Sequence, residues 1–547
     1  MNRLAIFPIP QRSLVKFLCL FLLCFTVVVA CNGNQGSDQT PDTRANNGRI
    51  TYGTTIKPRT LDPADSYEIA GLNMIYNLGD TLYTYELGGT TLKPQLATAM
   101  PTVSEDGLTY TIPLREGVVF HDGTPFNGEA MAFSLQRFMD NGGKPSFLLS
   151  DTIESVSATG EYELTIQLKK PFAAFTSLLA VTGTCAVSPA SYEIGEGKFN
   201  PDTFVGTGAY QLADYRTDSL RLEVFEDYWG EKPANQGVDV QIYSGSGANL
   251  FNGFRTGAVD LAYQSLEPEQ INSLLEGAEG GQWQVIDAPG TALNYLVLNL
   301  NQQPLDKPEV RQAIAALVDR QLIIQRGLQG QGEPAYSLIP PAFASHKGVF
   351  KDTYGDGDFT KAKELLSEAG HSPSNPAIVQ IWYPSSSTVR SRVAATLKAL
   401  ADQELGGALV FEPNSVEGTT FFKNIRDGVY PAALANWYPD FLDADNYIQP
   451  LVACSKGSQT EVCLEGSSQN QGSFYWSDRV NQLIDQQRQA QDPQTRQEIL
   501  AEIQTTLGED VPYIPLWLNK EYVFAQSNLK DVKINASQSI PFWTISK

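Results

Sequence analysis

Trp437, Tyr438 and Asp440 form the group of side chains in this sequence that is best suited to binding a small molecule. The two aromatic rings offer flat apolar surface and polar atoms, and the carboxylate can pair with a cation. Spacing alone leaves two interpretations of Asp440 open, a ligand-binding carboxylate or a turn residue after the preceding proline. Trp437 could instead be an ordinary core residue, and Asp443 and Asp445 fit caps of the helix or turn that follows.

Motifs of common catalytic and metal-binding sites are absent from the sequence. The three histidines, His121, His346 and His371, are not within helical spacing of one another, which argues against a histidine-based metal site. There is no HExxH, no G-x-S-x-G, no P-loop and no G-x-G-x-x-G that opens a helix. The acidic loop DTYGDGDFT at 352–360 lacks the ligand spacing of a calcium loop and favours a solvated turn. We therefore expect no enzymatic activity, no cofactor and no metal ion.

The composition indicates a large folded protein that does not bind nucleic acid. The chain has 547 residues, of which 42% are hydrophobic, and a chain of this size forms about two to four domains. Lys and Arg number 39 against 61 Asp and Glu, which gives a formal charge of -22. An acidic chain is poorly suited to neutralising phosphates.

The N-terminus has the pattern of a secretory signal peptide over residues 1–30. Three basic residues precede an apolar run at 17–30 that is too short to span a bilayer. The run ends at Ala30 and Cys31, which resembles the lipobox of bacterial lipoproteins, where cleavage precedes the cysteine and its thiol receives lipid. An ordinary signal peptide followed by a chance cysteine is the alternative. The polar residues 31–48 predict a flexible tether, so we expect an exported protein that is lipid-anchored to the membrane, in the periplasm or at the cell surface.

The cysteines beyond the tether are interpreted from this expected location. An oxidising compartment allows a local disulfide between Cys454 and Cys463, which would close a polar loop. Cys185 lies in an apolar segment and is expected to be a buried free thiol.

Hydrophobic periodicity predicts a mixture of strands and helices that do not alternate strictly, as in α/β or α+β lobes. Alternating apolar residues predict strands at 108–114, 164–168, 220–224 and 238–242. Helical spacing appears near 131–138, 310–318 and 499–507, with helix starts at Asn127, Pro308 and Asp492. A short helix at 361–369 would end at Gly370.

Several segments together resemble the family 5 extracellular solute-binding proteins, the oligopeptide- and dipeptide-binding components of ABC importers. The most distinctive block is PQLA at 94–97 followed by SEDGLTYTIPLREGVVFHDGTPFN at 104–127. In the same order as in the family, the chain carries LDP at 61–63, GTGAY at 206–210, NYLVLNLN at 294–301, VRQAI at 310–314 and VPYIPL at 511–516. The block also has a local interpretation, in which His121 is a structural turn residue and Gly206 and Gly208 permit unusual backbone angles.

The resemblance implies an α/β fold like that of type II periplasmic binding proteins, with two lobes around a hinged cleft. Lobe I would comprise 49–86, 195–293 and 510–547, with an extra α+β domain at 87–194. Lobe II would comprise 294–509, and the hinges would lie near residues 290 and 510. Closure of such a hinge on a ligand lets a permease distinguish loaded from empty protein.

The resemblance also implies roles for individual residues. The position of Asp440 pairs with the ligand's α-ammonium in peptide-binding relatives, and the segment Ser66, Tyr67 and Glu68 supplies main-chain contacts there; a simple loop is the alternative for that segment. Two positions depart from the pattern, because Leu434 replaces an Arg of some relatives and Gly418 replaces a pocket Trp. Arg426 could take over the pairing with an anion or could be an ordinary solvated residue. These departures argue against a tight preference for di- or tripeptides.

The expected function is therefore that of a monomeric binding lipoprotein that delivers peptides to the permease and ATPase subunits of an ABC importer. Three alternatives remain open at this point. The same family could bind a non-peptide solute such as a metal chelate, haem, a sugar or an opine. The chain could also be a secreted hydrolase, or a receptor that works without a permease.

Overall fold

The computed structural model describes residues 48–263, 266–288, 290–458, 460 and 462–547. The expected signal peptide, Cys31 and nearly all of the tether lie outside the described residues. The strands are β1 Ile50–Thr54, β2 Tyr83–Tyr85, β3 Leu92–Pro94, β4 Thr102–Val103, β5 Thr109–Pro113, β6 Ile153–Gly160, β7 Glu163–Leu168, β8 Tyr210–Tyr215, β9 Ser219–Val224, β10 Val238–Ile242, β11 Leu261–Tyr263, β12 Trp283–Ala288, β13 Leu293–Leu298, β14 Gly332–Pro334, β15 Ala377–Pro384, β16 Leu409–Val416, β17 Ala432–Trp437, β18 Cys454–Ser458, β19 Val462–Gly466, β20 Tyr513–Asn519 and β21 Glu521–Gln526.

Helices connect most of these strands. They are α1 Ile69–Leu78, α2 Gly128–Asp140, α3 Phe147–Ser150, α4 Phe175–Leu178, α5 Gly247–Arg255, α6 Pro268–Glu279, α7 Pro308–Leu317, α8 Arg320–Gly327, α9 Val349–Tyr354, α10 Phe359–Glu368, α11 Thr388–Glu404, α12 Gly418–Arg426, α13 Gln449–Val452, α14 Ser467–Asn470, α15 Asp478–Gln489 and α16 Pro493–Asp510. Short 3-10 helices occur at Thr182–Thr184, Ala444–Tyr447 and Phe542–Thr544.

Three of the five sheets in the described residues have four or more strands and organise the fold, and the other two are the pairs β2-β3 and β18-β19. A seven-stranded sheet has the order β12-β21-β11-β1-β10-β9-β8, and a six-stranded sheet has the order β14-β20-β13-β17-β15-β16. We call the parts of the chain built on these two sheets the first and the second lobe. A four-stranded sheet, β4-β5-β7-β6, packs with α2 and forms the insert domain. Both lobe sheets mix parallel and antiparallel pairs; β1 lies parallel to β10 and β11, and β15 lies parallel to β16 and β17.

Each sheet buries its own hydrophobic core. The second lobe has one core on each side of its sheet, and the strand β13 is buried along its whole length because it lies between them. The first lobe is likewise covered on both sides. The core of the insert domain also includes Phe441, which lies shortly after the end of β17 in the second lobe.

Local sequence signals account for the helix boundaries. The side chain of Asn127 accepts a hydrogen bond from the amide of Ala130 at 3.0 Å, and Asp492 accepts one from the amide of Thr495 at 2.7 Å. These contacts satisfy amides that a helix leaves unpaired at its N-terminus. Gly370 follows α10 with a φ of 82°, a left-handed conformation that favours glycine.

The chain crosses between the two lobes twice. The first crossing lies between β12, which ends at Ala288, and β13, which begins at Leu293. The second crossing lies at Lys520, because β20 belongs to the six-stranded sheet and β21 to the seven-stranded sheet. The sequence-based position near residue 510 is therefore wrong: the strand that begins at Tyr513 pairs with β13 and belongs to the second lobe.

The LDP segment holds the insert domain to the first lobe through a buried ion pair. Asp62 is fully buried and accepts hydrogen bonds from both terminal nitrogens of Arg137, at 2.8 and 2.6 Å. The guanidinium also donates to the carbonyls of Glu193 and Lys198, and the carboxylate accepts from the amide of Asn200. This network satisfies the charges that burial would otherwise leave unpaired.

His121 and the GTGAY segment meet in one turn. The imidazole Nε2 lies 3.1 Å from the carbonyl oxygen of Gly208, and the amide of Gly206 donates to Nδ1 at 3.3 Å. Burial lowers the pKa of His121 to about 4, so the ring is neutral. Neither glycine has a positive φ, so the expectation of unusual backbone angles is wrong. A Cβ on Gly208 would lie 2.4 Å from the backbone of Leu78, so close approach of the chain requires glycine.

The cysteines and the acidic loop have structural partners. Cys454 and Cys463 form a disulfide between β18 and β19, and Cys185 is buried and forms no disulfide with the other described cysteines. In the acidic loop, Asp358 caps α10 through the amide of Lys361. Within the described ranges, no group of three or more His, Cys, Asp or Glu is arranged to hold a metal ion.

Candidate functional site

A cavity of about 840 Å³ lies between the two lobes. Its volume falls within the range of pockets that enclose small molecules. The first lobe contributes Tyr67, Glu68, Tyr263, Glu267, Glu521 and Tyr522 to its lining, and the second lobe contributes Asn294, Ser387, Arg390, Asn436, Tyr438, Trp517 and Asn519. A smaller cavity of about 100 Å³ shares Tyr438 with it and contains Asp440.

Asp440 lies in the segment that leaves β17 at the cavity. Its amide donates to the side-chain oxygen of Asn446 at 2.8 Å, and the amide nitrogen of Asn446 donates to its carboxylate at 3.3 Å. The hydroxyl of Tyr67, from the first lobe, donates a short hydrogen bond to the other carboxylate oxygen. Burial raises the pKa of Asp440, and the bonds from Tyr67 and Asn446 oppose that rise. No cation of the described residues pairs with this carboxylate, so the site can accept one.

The segment that carries Asp440 is fixed from behind by a second ion pair. Asp443 caps the 3-10 helix through the amide of Asp445, and Arg496 of α16 donates to both oxygens of Asp443 at 2.9 and 2.5 Å. Asp445 is buried against Arg488, 3.4 Å away, and accepts from Gln487. Asp443 and Asp445 therefore hold the loop in place and do not line the cavity.

Trp437 and Tyr438 have different surroundings. Trp437 ends β17, is partly buried against the core of the second lobe, and donates from its indole nitrogen to Asn446 at 3.3 Å. Tyr438 is 42% exposed, lines both cavities, and its hydroxyl accepts from Asn519 at 3.4 Å. Of these two rings, Tyr438 therefore faces the cavity and Trp437 does not.

The residues Ser66, Tyr67 and Glu68 differ in their relation to the cavity. Tyr67 and Glu68 line it, although Glu68 is engaged by the amide of Arg59 at 3.1 Å. Ser66 does not line it: the side chain is buried toward α1, and the amide already donates to the carbonyl of Asp62.

Arg390 is a charged residue of the cavity that the sequence analysis did not identify. It lies in the first turn of α11, where Ser387 caps the helix by accepting from the Arg390 amide at 3.2 Å. The guanidinium donates to Asn436, but its Nε is buried and has no hydrogen-bond partner among the described residues. Burial lowers the pKa of this arginine, with no carboxylate of the described residues in ion-pair contact. The sequence contains one signal for this position: a run of serines followed by Thr388, which is typical of a helix start. Where such a helix follows a parallel strand, ligand sites are common.

Arg426 has no part in the cavity. It ends α12, is exposed, and its carbonyl accepts a hydrogen bond from Gln469. Neither cavity includes it among its lining residues. The structure thus brings Arg390, and not Arg426, to the position where an anionic group of a ligand could bind.

Fold and cavity together define a two-lobed solute-binding protein. The sequence model described as bacterial extracellular solute-binding proteins, family 5 Middle, matches residues 91–459, and the chain belongs to this family. Members of the family are substrate-binding components of ABC transporters and are not enzymes. Across the part of the chain that the structure describes, no helix combines the length and apolarity needed to cross a bilayer.

Comparisons with individual proteins agree with this assignment. The glutathione-binding protein GsiB of Escherichia coli K12 is 28% identical over 474 residues, which cover 84% of this chain and 87% of GsiB. The Helicobacter pylori protein DppA in complex with the peptide STSA is 23% identical with a TM-score of 0.70, covering 91% of this chain and 98% of DppA. NikZ of Campylobacter jejuni, solved with Ni(L-His), is 20% identical with a TM-score of 0.72, covering 92% of this chain and all of NikZ. The fold is that of the type II periplasmic binding proteins.

Proposed function

We propose that this chain captures peptides in the cavity between its lobes and delivers them to the permease of an ABC importer. The observation that carries the proposal is a pair of opposite charges with no ionic partner among the described residues, the Asp440 carboxylate at the smaller cavity and the Arg390 guanidinium at the larger one. A peptide has an ammonium at one end and a carboxylate at the other, so it can satisfy both. Supporting the proposal, one relative is named a glutathione-binding protein and a structural neighbour was solved with a peptide.

Charge pairing of this kind requires a closed cleft. An ammonium that loses its water on burial needs a carboxylate in its place, because an unpaired buried charge is costly. Tyr438 adds apolar surface beside these charges. As the moving parts we propose a first lobe at 49–86, 195–293 and 521–547 with its extra domain at 87–194, and a second lobe at 294–519, so that the second hinge lies at Lys520.

Native mass spectrometry of protein purified without denaturation tests the bound solute directly. A peptide mass supports the proposal, and a metal chelate or other non-peptide mass overturns it. Peptides at about a hundred times their Kd should then stabilise the fold by roughly 2.7 kcal/mol in a thermal-shift assay. Asp440→Asn should remove this gain, whereas Asp485→Asn, at an exposed aspartate of α15, should keep it. Stabilisation that is the same in both variants contradicts the assignment of Asp440.

We also propose that the mature protein begins at Cys31, carries lipid on its thiol, and acts as a monomer outside the cytoplasm. The support is the apolar run and the cysteine that ends it. Cys31→Ser should move the protein from the membrane fraction to the soluble fraction of cells. Membrane association that persists in this variant would refute lipidation at this residue.

A further inference from the structure

We propose that Glu521 is a second carboxylate of the binding site and that it selects solutes with an additional cationic group, such as a peptide with a basic side chain. This inference rests on the proposed function. It concerns a residue that the sequence did not single out and that lies on the lobe opposite to Asp440.

The position of Glu521 follows from the second crossing of the chain. It is the first residue of β21, directly after Lys520, and its backbone pairs with Ala288 of β12. Its side chain is partly buried and lines the large cavity. The hydrogen-bond partner of its carboxylate is the hydroxyl of Tyr263, which donates at 3.4 Å. A contact of this length is weak, so the carboxylate retains most of its capacity to accept.

Other carboxylates of the cavity have different surroundings. Glu68 accepts from the amide of Arg59 and lies 3.7 Å from its guanidinium. The carboxylate of Glu267 is exposed at the N-terminus of α6, where the backbone carbonyl of this residue accepts from the amide of Gln270 at 2.9 Å. Among the described residues, no cation lies within ion-pair distance of Glu521, which distinguishes it from Glu68, and its side chain is partly buried, which distinguishes it from the exposed Glu267.

A partly buried carboxylate without a cation is unfavourable and is relieved either by a proton or by a cationic ligand. Burial raises the pKa of Glu521 to about 7, and the bond from Tyr263 opposes the rise. The nearest other titratable groups are Tyr438 from the second lobe and the chain neighbours Lys520 and Tyr522. The cavity that Glu521 lines also contains Arg390, Tyr67, Glu68 and Glu267, and none of them is in ion-pair contact with it.

On β12 the nearest titratable group is Asp287, which is exposed. None of these groups forms an ion pair with Glu521. A ligand that brings an ammonium or guanidinium would therefore replace the proton.

The sign of the pH dependence follows from this exchange. A cationic group binds the ionised carboxylate, so the preference for a basic ligand is highest above pH 7 and falls as the pH decreases. With a pKa of about 7, the ionised fraction at pH 5.5 is roughly 30-fold below that at pH 8. The titration of Asp440 affects basic and neutral peptides alike and cancels in the ratio of their affinities.

The test compares tetra-alanine peptides in which lysine or its uncharged analogue norleucine replaces each position in turn, by calorimetry at pH 8. At one position or more, we expect lysine to bind at least about tenfold tighter than norleucine. Glu521→Gln should reduce this ratio to about one while norleucine peptides bind as before. Glu333→Gln, at an exposed carboxylate of β14, is the matched control and should keep the ratio.

The outcomes distinguish failure of this inference from failure of the proposed function. A ratio near one at all positions in the unmodified protein, or a ratio that Glu521→Gln leaves unchanged, overturns the inference, while binding of norleucine peptides still upholds the proposed function. Absence of binding by every peptide overturns both. The pH profile of the ratio in the unmodified protein needs no substitution, and a flat profile between pH 8 and 5.5 also refutes the role of Glu521.

Discussion

Arg390→Met should abolish recognition of the carboxylate end of a ligand while leaving the empty protein folded. Methionine keeps much of the length of the side chain and removes the charge and its donors. In the structure the guanidinium donates to Asn436, and its buried Nε has no hydrogen-bond partner among the described residues. Replacing a poorly paired buried charge by an apolar side chain is often neutral or stabilising, so we expect no loss of stability without ligand.

The magnitude follows from the donors that the ligand would use. A carboxylate placed against the two terminal nitrogens accepts two charge-assisted hydrogen bonds, each contributing roughly 1.5–3 kcal/mol. Because Asn436 competes for the guanidinium, we expect the lower limit of the sum, about 3 kcal/mol. This corresponds to an increase in Kd of about 150-fold.

Calorimetry with a tetrapeptide as free acid and as C-terminal amide provides the assay. Amidation should weaken binding strongly in the unmodified protein and only slightly in Arg390→Met, because the charge that it removes has then lost its partner. Arg426→Met is the matched control and should bind both peptides as the unmodified protein does, since Arg426 lies outside the cavity. Loss of affinity in Arg426→Met, or equal effects of amidation with and without Arg390, would refute the reasoning.

Two further predictions concern the fold. Asp62→Ala should lower the free energy of unfolding by about 3–5 kcal/mol in urea denaturation, because it leaves the buried Arg137 charge unpaired; the double variant with leucine at both positions should recover much of the loss, and purely additive effects would contradict the ion-pair explanation. The pKa of His121 is lowered from its ordinary 6.5 to about 4, so the unfolded chain binds the proton more readily and stability should fall as the pH decreases from 6.5 to 4. In His121→Asn that part of the slope should disappear, and an unchanged slope would show that another group is responsible.

Features that depend on neighbouring residues could be predicted from the sequence. The caps at Asn127 and Asp492, and the glycine after α10, act within a few residues of their helices. Alternating apolar residues likewise identify β5, β7, β9 and β10, since each strand has one face on a core. Such signals are sufficient for the type of an element and its approximate bounds.

Features that depend on contacts between distant segments were harder to predict. The hydroxyl of Tyr67 and the carboxylate of Asp440 are 373 residues apart in the chain. Arg390 looks in sequence like any helical arginine, and only the packing of α11 brings its guanidinium beside Asn436 and away from water. The sequence-based position of the second crossing, near residue 510 instead of Lys520, is wrong for the same reason. Strand pairing, and not composition, determines to which lobe β20 belongs.

For the proposed site, the hydrogen bond from Tyr67 to Asp440 makes the binding of a ligand ammonium an exchange and not an addition. The carboxylate already has a neutral donor from the opposite lobe, so an arriving ammonium gains only the difference between its own contact and the one it replaces or shares. Measured affinity therefore reports this competition. The same phenol can reoccupy the carboxylate when a ligand departs, which reduces the cost of emptying the site and favours release over retention.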